Sequence, residues 1–227
     1  MTTLIDTTEM YLRTIWELLE ERVTPLRARI VERLQQSGPT VSQTVSRMER
    51  DGLLRVIEDR HILLSELGES LATEVMRRHR LAERLLFDVI GLDWSLLHEE
   101  ACKWEHVIGE AVEDKLFVLL DQPTVSPYGM PIPGVGVTLA EAAAECWRGV
   151  SLLSTLLARQ EPGRSVTVAR IGELLQRDRA TLEALSAAGV RPGRMVEADQ
   201  DERRLTLRCE GTCHLDVAWG DHIFVRA

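Results

Sequence analysis

Apolar residues recur at helical spacing through the first half of the chain and alternate with polar ones near its end. Leu4, Tyr11, Ile15, Leu18 and Leu19 predict an amphipathic helix over 4–21, and Asp6-Thr7-Thr8-Glu9 puts acidic groups beside the free N–H groups of its first turn. Met10 lies on this helix, where spacing alone reads it as core filler. Thr24-Pro25 marks the next helix start, with Ile30 and Leu34 as a short apolar face. Gln35-Gln36-Ser37-Gly38 reads as a turn, with Ser37 or Gly38 as the cap and Pro39 in the first turn of a helix striped by Val41, Val45 and Met48. Two short helices about a Gly-containing turn form the helix-turn-helix pattern. The outward face of the second carries Thr40, Gln43, Thr44, Arg47 and Arg50, groups that hydrogen-bond phosphates and base edges, although a plain solvated face has the same look. Apolar residues over 53–57 and 61–64 flank Glu58-Asp59-Arg60 and predict a β-hairpin. A hairpin directly after a candidate recognition helix is a winged-helix arrangement, with Arg60 at the wing tip.

Beyond the wing, Leu71, Val75, Leu81, Leu85, Leu86 and Val89 predict a long helix over 66–90, capped by Ser65 and stopped at Gly91. Helices over 94–106 and 109–120 follow. Seven Pro and Gly residues between 121 and 137 read as an irregular segment or linker, 139–148 as helical, and 151–160 as a short helix or linker. From about 165 the pattern becomes β-rich, with strands expected over 165–171, 194–198, 203–208, 214–218 and 222–225 and a short helix near 178–188. Five short strands fit a small SH3-type barrel. The predicted fold class is therefore mainly α, with a winged helix-turn-helix domain (1–73), a helical dimerisation domain (74–140), a linker (141–164) and a C-terminal SH3-like β-barrel (165–227). The winged-helix and helical parts are expected to have cores of their own and to survive loss of the β-rich part.

The chemistry concentrates on the predicted helix 94–106. At ~100° per residue, His98, Cys102, Glu105 and His106 share about a 100° arc of one face. Imidazole, thiolate and carboxylate together suit a transition metal and argue against magnesium or calcium. His79-x-x-x-Glu83 adds a pair one turn apart on the preceding helix, which a solvated face would equally produce. The net charge of −9 excludes a wholly basic nucleic-acid coat, yet residues 22–60 hold eight Arg against five Asp or Glu. No signal-peptide pattern or membrane-length apolar run is present, and Cys102, Cys146, Cys209 and Cys213 lack secretory disulfide spacing, so a cytoplasmic protein is expected. Cys209-x-x-x-Cys213-His214 imitates a metal knuckle at a spacing wrong for paired zinc knuckles.

Several stretches together resemble the diphtheria toxin repressor family, specifically its three-domain iron-dependent regulators: Asp6-Thr-Thr-Glu-Met-Tyr-Leu-Arg-Thr-Ile15, Thr24-Pro-Leu-Arg-Ala-Arg-Ile30, Gln36-Ser-Gly-Pro-Thr-Val-Ser-Gln-Thr-Val45, Arg78-His-Arg-Leu-Ala-Glu-Arg-Leu-Leu86 and Glu100-Ala-Cys-Lys-Trp-Glu-His106. The match runs through the first 134 residues, is poor over 137–164, and resumes at Ile171-Gly-Glu173-Leu-Leu-Gln176. The resemblance implies two metal sites per subunit. A regulatory site would use Met10, Cys102, Glu105 and His106, with a Cys102 carbonyl. An ancillary site would use His79, Glu83 and His98, completed by Glu173 and Gln176. This splits the single ligand face and gives Met10 a role that spacing does not show. The implied DNA contacts are Thr7, Arg27, Ala28, Ser37, Pro39, Thr40, Ser42, Gln43, Arg50 and Arg60. The family's anion pocket would use Arg80, Ser126 and an Asn, and this chain departs from it with Met130 at that place. The implied function is a non-enzymatic repressor, activated by Fe(II) with Co(II), Ni(II), Zn(II) or Mn(II) as substitutes, acting as a homodimer on double-stranded operator DNA of iron-uptake and siderophore genes. Whether one or two dimers sit on each operator is left open. Three other readings stand beside it: a manganese-responsive regulator of the same family, a metal-independent winged-helix regulator, and a metalloenzyme, for which no adjacent base and substrate pocket is evident.

Overall fold

A computed structural model describes residues 6–158 and 163–226. Leu4 of the predicted first helix, residues 159–162 and Ala227 lie outside the described residues. The chain forms two compact units. The first comprises residues up to Ala82 together with Cys102–Thr124 and Ile132–Cys146, and the second comprises Glu83–Ala101, Val125–Pro131 and the chain from Trp147 on.

In the first unit, helix α1 (Thr7–Glu20) starts where the Asp6 carboxylate accepts from the Thr8 and Glu9 N–H groups. Tyr11, Ile15 and Leu18 are buried as the stripe predicts, Leu19 is partly buried, and Leu12 and Trp16 join the core unpredicted. So, unexpectedly, are Arg13, Thr14, Glu17 and Glu20, which hydropathy assigns to solvent. Helix α2 (Arg27–Leu34) begins later than Thr24-Pro25 suggests, because the Pro25 carbonyl accepts from Ile62 N–H and Leu26 bridges His61 in extended form. Helix α3 (Gly38–Arg50) is capped by Ser37, whose Oγ accepts from Thr40 N–H, with Pro39 in its first turn. Thr44 is a correction to the expected outward face: it is buried beside Val41, Val45 and Met48. Strands β1 (Leu54–Val56) and β2 (Ile62–Leu64) pair antiparallel, and the wing turn between them places Asp59 and Arg60 at positive φ.

Helix α4 (Glu66–Leu85) packs tightly at its start, where a Cβ on Gly68 would stand 1.9 Å from the Leu53 carbonyl oxygen. The predicted helix to residue 90 ends instead in a π-turn over Leu86–Ile90, closed by Gly91 at φ 75°. The predicted helix 94–106 is shorter too. A 3₁₀ turn over Trp94–Leu96 leads into α5 (Leu97–Trp104), so Glu105 and His106 lie in the turn after the helix. Helix α6 (Glu110–Leu119) completes this part. Residues 141–164, assigned as a linker between domains, hold the two short helices the pattern allowed near 139–148 and 151–160, and a short strand it did not. Helix α7 (Leu139–Cys146) opens with Thr138 and Glu141 capping each other, and Leu139 and Ala142 join the core that α1 builds.

In the second unit, strand β3 (Ser151–Leu152) and helix α8 (Leu153–Leu157) precede the sheet proper. The remaining elements are β4 (Arg164–Ile171), α9 (Glu173–Gln176), α10 (Arg179–Ala187), β5 (Met195–Gln200), β6 (Arg204–Arg208), β7 (Thr212–Asp216) and β8 (Ile223–Arg226). The sheet order is β3-β8-β4-β5-β6-β7, with every pair antiparallel and a bulge in β4 between Val168 and Arg170. The five expected strands are thus present, joined by a sixth from the segment read as linker. Part of the Pro/Gly segment is fixed here: Tyr128 O accepts from Ile171 N–H, and Gly129 at φ 78° lies so close to Ala169 that a Cβ would meet its oxygen at 2.2 Å. Trp94 is buried against Tyr128, whose hydroxyl donates to Trp94 O, and beneath the Arg191 guanidinium. Residues 83–101 therefore share their packing with the β-rich part, contrary to the expected separation. Among the described residues no helix is long and apolar enough to cross a membrane.

Candidate metal centres and nucleic-acid interface

In the first unit, α1, α4, the end of α5 and the turn after it bring polar groups together in a largely buried place. His79, Cys102 and Glu105 offer ligand atoms all within 4.8 Å of one another. His79 Nδ1 lies 2.5 Å from Glu105 Oε2. His106 Nε2 stands 3.4 Å from Glu105 Oε1, and its Nδ1–H donates to Glu9 Oε2 at 2.6 Å. That bond fixes the ring and leaves Nε2 as the nitrogen with a free lone pair. Met10 follows Glu9 on α1 and is partly buried against the core.

Arg13 sits among these groups. Its Nη1 is 2.9 Å from His79 Nδ1, 3.1 Å from Cys102 Sγ and 2.9 Å from Glu105 Oε2, while its Nε faces Glu17 Oε1 at 3.3 Å. Burial works against the Arg13 charge, but Cys102, Glu105 and Glu17 outweigh it and keep the group firmly cationic. Burial likewise pushes the Glu105 carboxyl up, and Arg13, His79 and His106 override this to hold it below the usual range. For His106 burial favours the neutral ring, and the Glu9 hydrogen bond with the Glu105 and Glu9 charges raises its pKa nonetheless. Glu105 Oε1 is buried with no hydrogen-bond partner among the described residues. A buried carboxylate oxygen beside an imidazole nitrogen and a thiol fits a divalent transition metal.

The second unit holds another donor set. Glu83 on the last turn of α4, His98 on α5 and Glu173 on α9 have ligand atoms within 4.8 Å of one another, all buried. His98 Nδ1 is 3.2 Å from Gln176 Oε1, 3.6 Å from Glu173 Oε2 and 3.7 Å from Glu83 Oε1. Gln176 Nε2 donates to Ile171 O at 2.7 Å, which turns its amide oxygen toward His98. One imidazole, two carboxylates and an amide oxygen form a harder set than the first, also suited to a divalent ion. His79 precedes Glu83 by one turn on α4. Residues 173–176, far from this set in sequence, reach it because Gly172 N–H donates to His222 O and turns α9 off the end of β4.

The expected DNA-facing residues lie on one unit. Thr7, Ala28, Ser37, Pro39, Thr40, Ser42, Gln43, Arg50 and Arg60 are exposed, and Arg27 is half-buried at the start of α2. Ser37 Oγ and Thr40 Oγ1 are 2.7 Å apart at the head of α3. At the anion-pocket positions, Arg80 is buried beneath the Trp16 ring, and both its Nη atoms donate to the Glu20 carboxylate. Ser126 and Met130 are buried in the second unit. Sequence reasoning missed Glu9, Arg13, Glu17 and Glu20. The only signal for them is charge placed three or four residues from apolar positions on a helix that needs both faces covered.

The chain belongs to the iron-dependent repressor family: the family profile for the N-terminal DNA-binding domain matches residues 3–62, and that for the metal-binding and dimerisation domain matches residues 65–134. It is thus a DNA-binding, dimerising regulator with a metal-binding domain, and not an enzyme. It is 54% identical over 202 residues to the iron-dependent repressor IdeR of Mycobacterium tuberculosis, covering 88% of this chain and 86% of that protein. It is 49% identical over 214 residues to the diphtheria toxin repressor of Corynebacterium diphtheriae, covering 93% and 92%. Among solved structures, T. acidophilum IdeR aligns with a TM-score of 0.74 at 21% identity over 98% of both chains. ScaR with bound Cd2+ aligns at 0.76 and 25% identity, covering 97% and 99%.

Proposed function

We propose that the protein is an Fe(II)-activated repressor of iron-uptake and siderophore genes, acting in the cytoplasm as a homodimer on operator DNA. The observation that carries this reading is the convergence of Cys102, Glu105 and His106, with His106 Nε2 3.4 Å from Glu105 Oε1, in the same unit as the helix-turn-helix. Met10, Cys102, Glu105 and His106 hold the regulatory ion, with a Cys102 carbonyl, and His79, Glu83, His98, Glu173 and Gln176 hold the ancillary one. When bound, the regulatory ion supplies a multivalent cross-link between α1 and the turn after α5. Glu9 holds the Nδ1 proton of His106 and presents Nε2. Thioether and thiolate donors favour iron over manganese, with Co(II), Ni(II) and Zn(II) as substitutes in vitro. Val112 and Leu119, two turns apart on one face of α6, are exposed apolar residues, which supports α6 as part of the dimer face. The test is anaerobic binding to a duplex selected from random-sequence DNA by the Co(II)-loaded protein, compared with Fe(II), Mn(II), Zn(II) and chelator. Tight, chelator-insensitive binding favours a metal-independent regulator and sinks this reading.

Cys102→Asp should shift selectivity toward Mn(II), since a carboxylate hardens the donor set. Competition between Fe(II) and Mn(II), read by metal analysis after gel filtration, checks this; unchanged selectivity removes Cys102 from the ligands.

At the DNA face, Gln43→Ala should reduce discrimination between selected and random duplex, because an amide on α3 can read a base edge. Arg60→Ala or Arg27→Ala should weaken both duplexes alike and flatten the salt dependence by about one unit of slope. Equal losses of specificity in all three variants would contradict this division.

A further inference from the structure

We propose that Arg13 is a tethered competitor for the cation of the regulatory donor set and the residue that couples that set to the helix-turn-helix. This rests on the metal-centre reading above. The guanidinium nitrogen Nη1 donates to Cys102 Sγ at 3.1 Å and to Glu105 Oε2 at 2.9 Å, two of the atoms assigned to the regulatory ion. A divalent ion bound to the same atoms needs the lone pairs that Nη1 engages. In a dry site it also repels a guanidinium held beside it. Arginine cannot relieve the conflict by losing its proton, so one cation must give way to the other.

Where Arg13 goes is set by its other end. A ladder of alternating charge runs along α1 and into α2. Arg13 Nε faces Glu17 Oε1 at 3.3 Å, Glu17 Oε2 faces Arg33 Nη1 at 3.6 Å, and Arg33 Nη2 meets Glu21 Oε2 at 2.6 Å. Glu17 is fully buried and Arg33 nearly so, which leaves their interactions weakly screened. Arg13 released from Glu105 has Glu17 as its carboxylate, and Glu17 is one of the two carboxylates, with Glu21, that face Arg33 on the first helix of the helix-turn-helix. Occupancy of the donor set thereby changes how α2 is seated. Arg13 is a positioning residue, touching neither DNA nor the ion.

The two sides of the ladder make opposite predictions. Arg13→Gln removes the competitor and should raise Co(II) affinity by about tenfold or more. It should also bring the ratio of metal-loaded to metal-free DNA affinity toward one. Glu17→Gln, nearly isosteric, leaves Arg13 with Glu105 as its carboxylate and should lower Co(II) affinity by about tenfold. Arg33→Gln should leave Co(II) affinity unchanged while shrinking the DNA ratio. Co(II) binding is read on the full-length protein from the thiolate-to-cobalt absorption band, DNA binding from fluorescence anisotropy, and folding from circular dichroism. Opposite shifts in Arg13→Gln and Glu17→Gln support the proposal. Shifts of the same sign, or none, in folded variants overturn it. If Arg13→Gln does not fold, an unchanged Glu17→Gln affinity overturns it alone. If wild type and Cys102→Ser show the same cobalt spectrum, the metal-centre reading fails and this proposal falls with it. A cysteine-dependent band with unresponsive Arg13 and Glu17 variants defeats the proposal only.

Discussion

Glu105→Gln is expected to return operator binding at saturating Co(II) to its metal-free level. For a coupling of ordinary size that is a loss of up to roughly a hundredfold. The substitution keeps the shape of the side chain and removes its charge. Glu105 Oε2 serves Arg13 and His79, and Oε1 is buried with no hydrogen-bond partner among the described residues, beside His106 Nε2. An amide offers the cation no charge and forces a donor NH₂ into a place that calls for an acceptor. Arg13 keeps Glu17, so the variant should still fold, at a cost of about 3 kcal/mol, the low end for a buried ion pair that loses one charge. The depressed Glu105 pKa fixes the sign of a pH effect in the metal-free protein. Its stabilisation is fully present above the ordinary carboxylate range and is lost as pH falls through the folded value, so the gap between wild type and Glu105→Gln should close in acid. Denaturation followed against pH checks this, and a titration of metal-dependent DNA binding that matches wild type would remove Glu105 from the site.

The second large effect is expected on removing residues 147–227. Metal stoichiometry should drop from two ions per subunit to one, because Glu173 and Gln176 leave the ancillary set. The first unit has its own core and closes with α7, so DNA binding should survive with a weaker metal response. The second unit is damaged further. Arg191 and α10 cover Trp94 and its 3₁₀ turn, and exposing the indole forfeits up to about 4 kcal/mol of burial. Tryptophan fluorescence should shift to the red and amide exchange should rise over 83–101. Glu173→Ala with Gln176→Ala separates the two losses: it should reproduce the fall in stoichiometry without exposing Trp94. A double variant that still binds two ions would withdraw both residues from the ancillary site.

The hydrophobic pattern made most of the fold legible. It located the helix-turn-helix, the wing, the long helix α4 and the five consecutive strands. It misread what burial does to charge. Arg13, Glu17, Glu20 and Thr44 look like solvent-facing positions because hydropathy scores a residue alone, and each is buried by an ion pair, hydrogen bond or neighbouring element far along the chain. Helical periodicity placed His98 and Cys102 on one face. It could not show that the helix stops at Trp104, leaving Glu105 and His106 to a turn. Met10, Glu173 and Gln176 entered only through the resemblance, since no spacing rule links them to Cys102 or His98. The Pro/Gly composition of 121–137 left an irregular segment and a linker open; the segment is irregular, and tertiary hydrogen bonds and a close backbone approach at Gly129 fix part of it.

The return of α7 to α1 bears on synthesis. Helix α1 leaves the ribosome well ahead of α7, which packs on it and follows after about 120 residues. At ordinary elongation rates that interval is on the order of ten seconds, long enough for the winged helix to assemble beforehand. During it the nascent chain presents the patch of core that Leu139 and Ala142 later cover. The growing polypeptide is therefore most open to chaperones and to association with its neighbours on the same message after the wing has emerged and before α7 arrives.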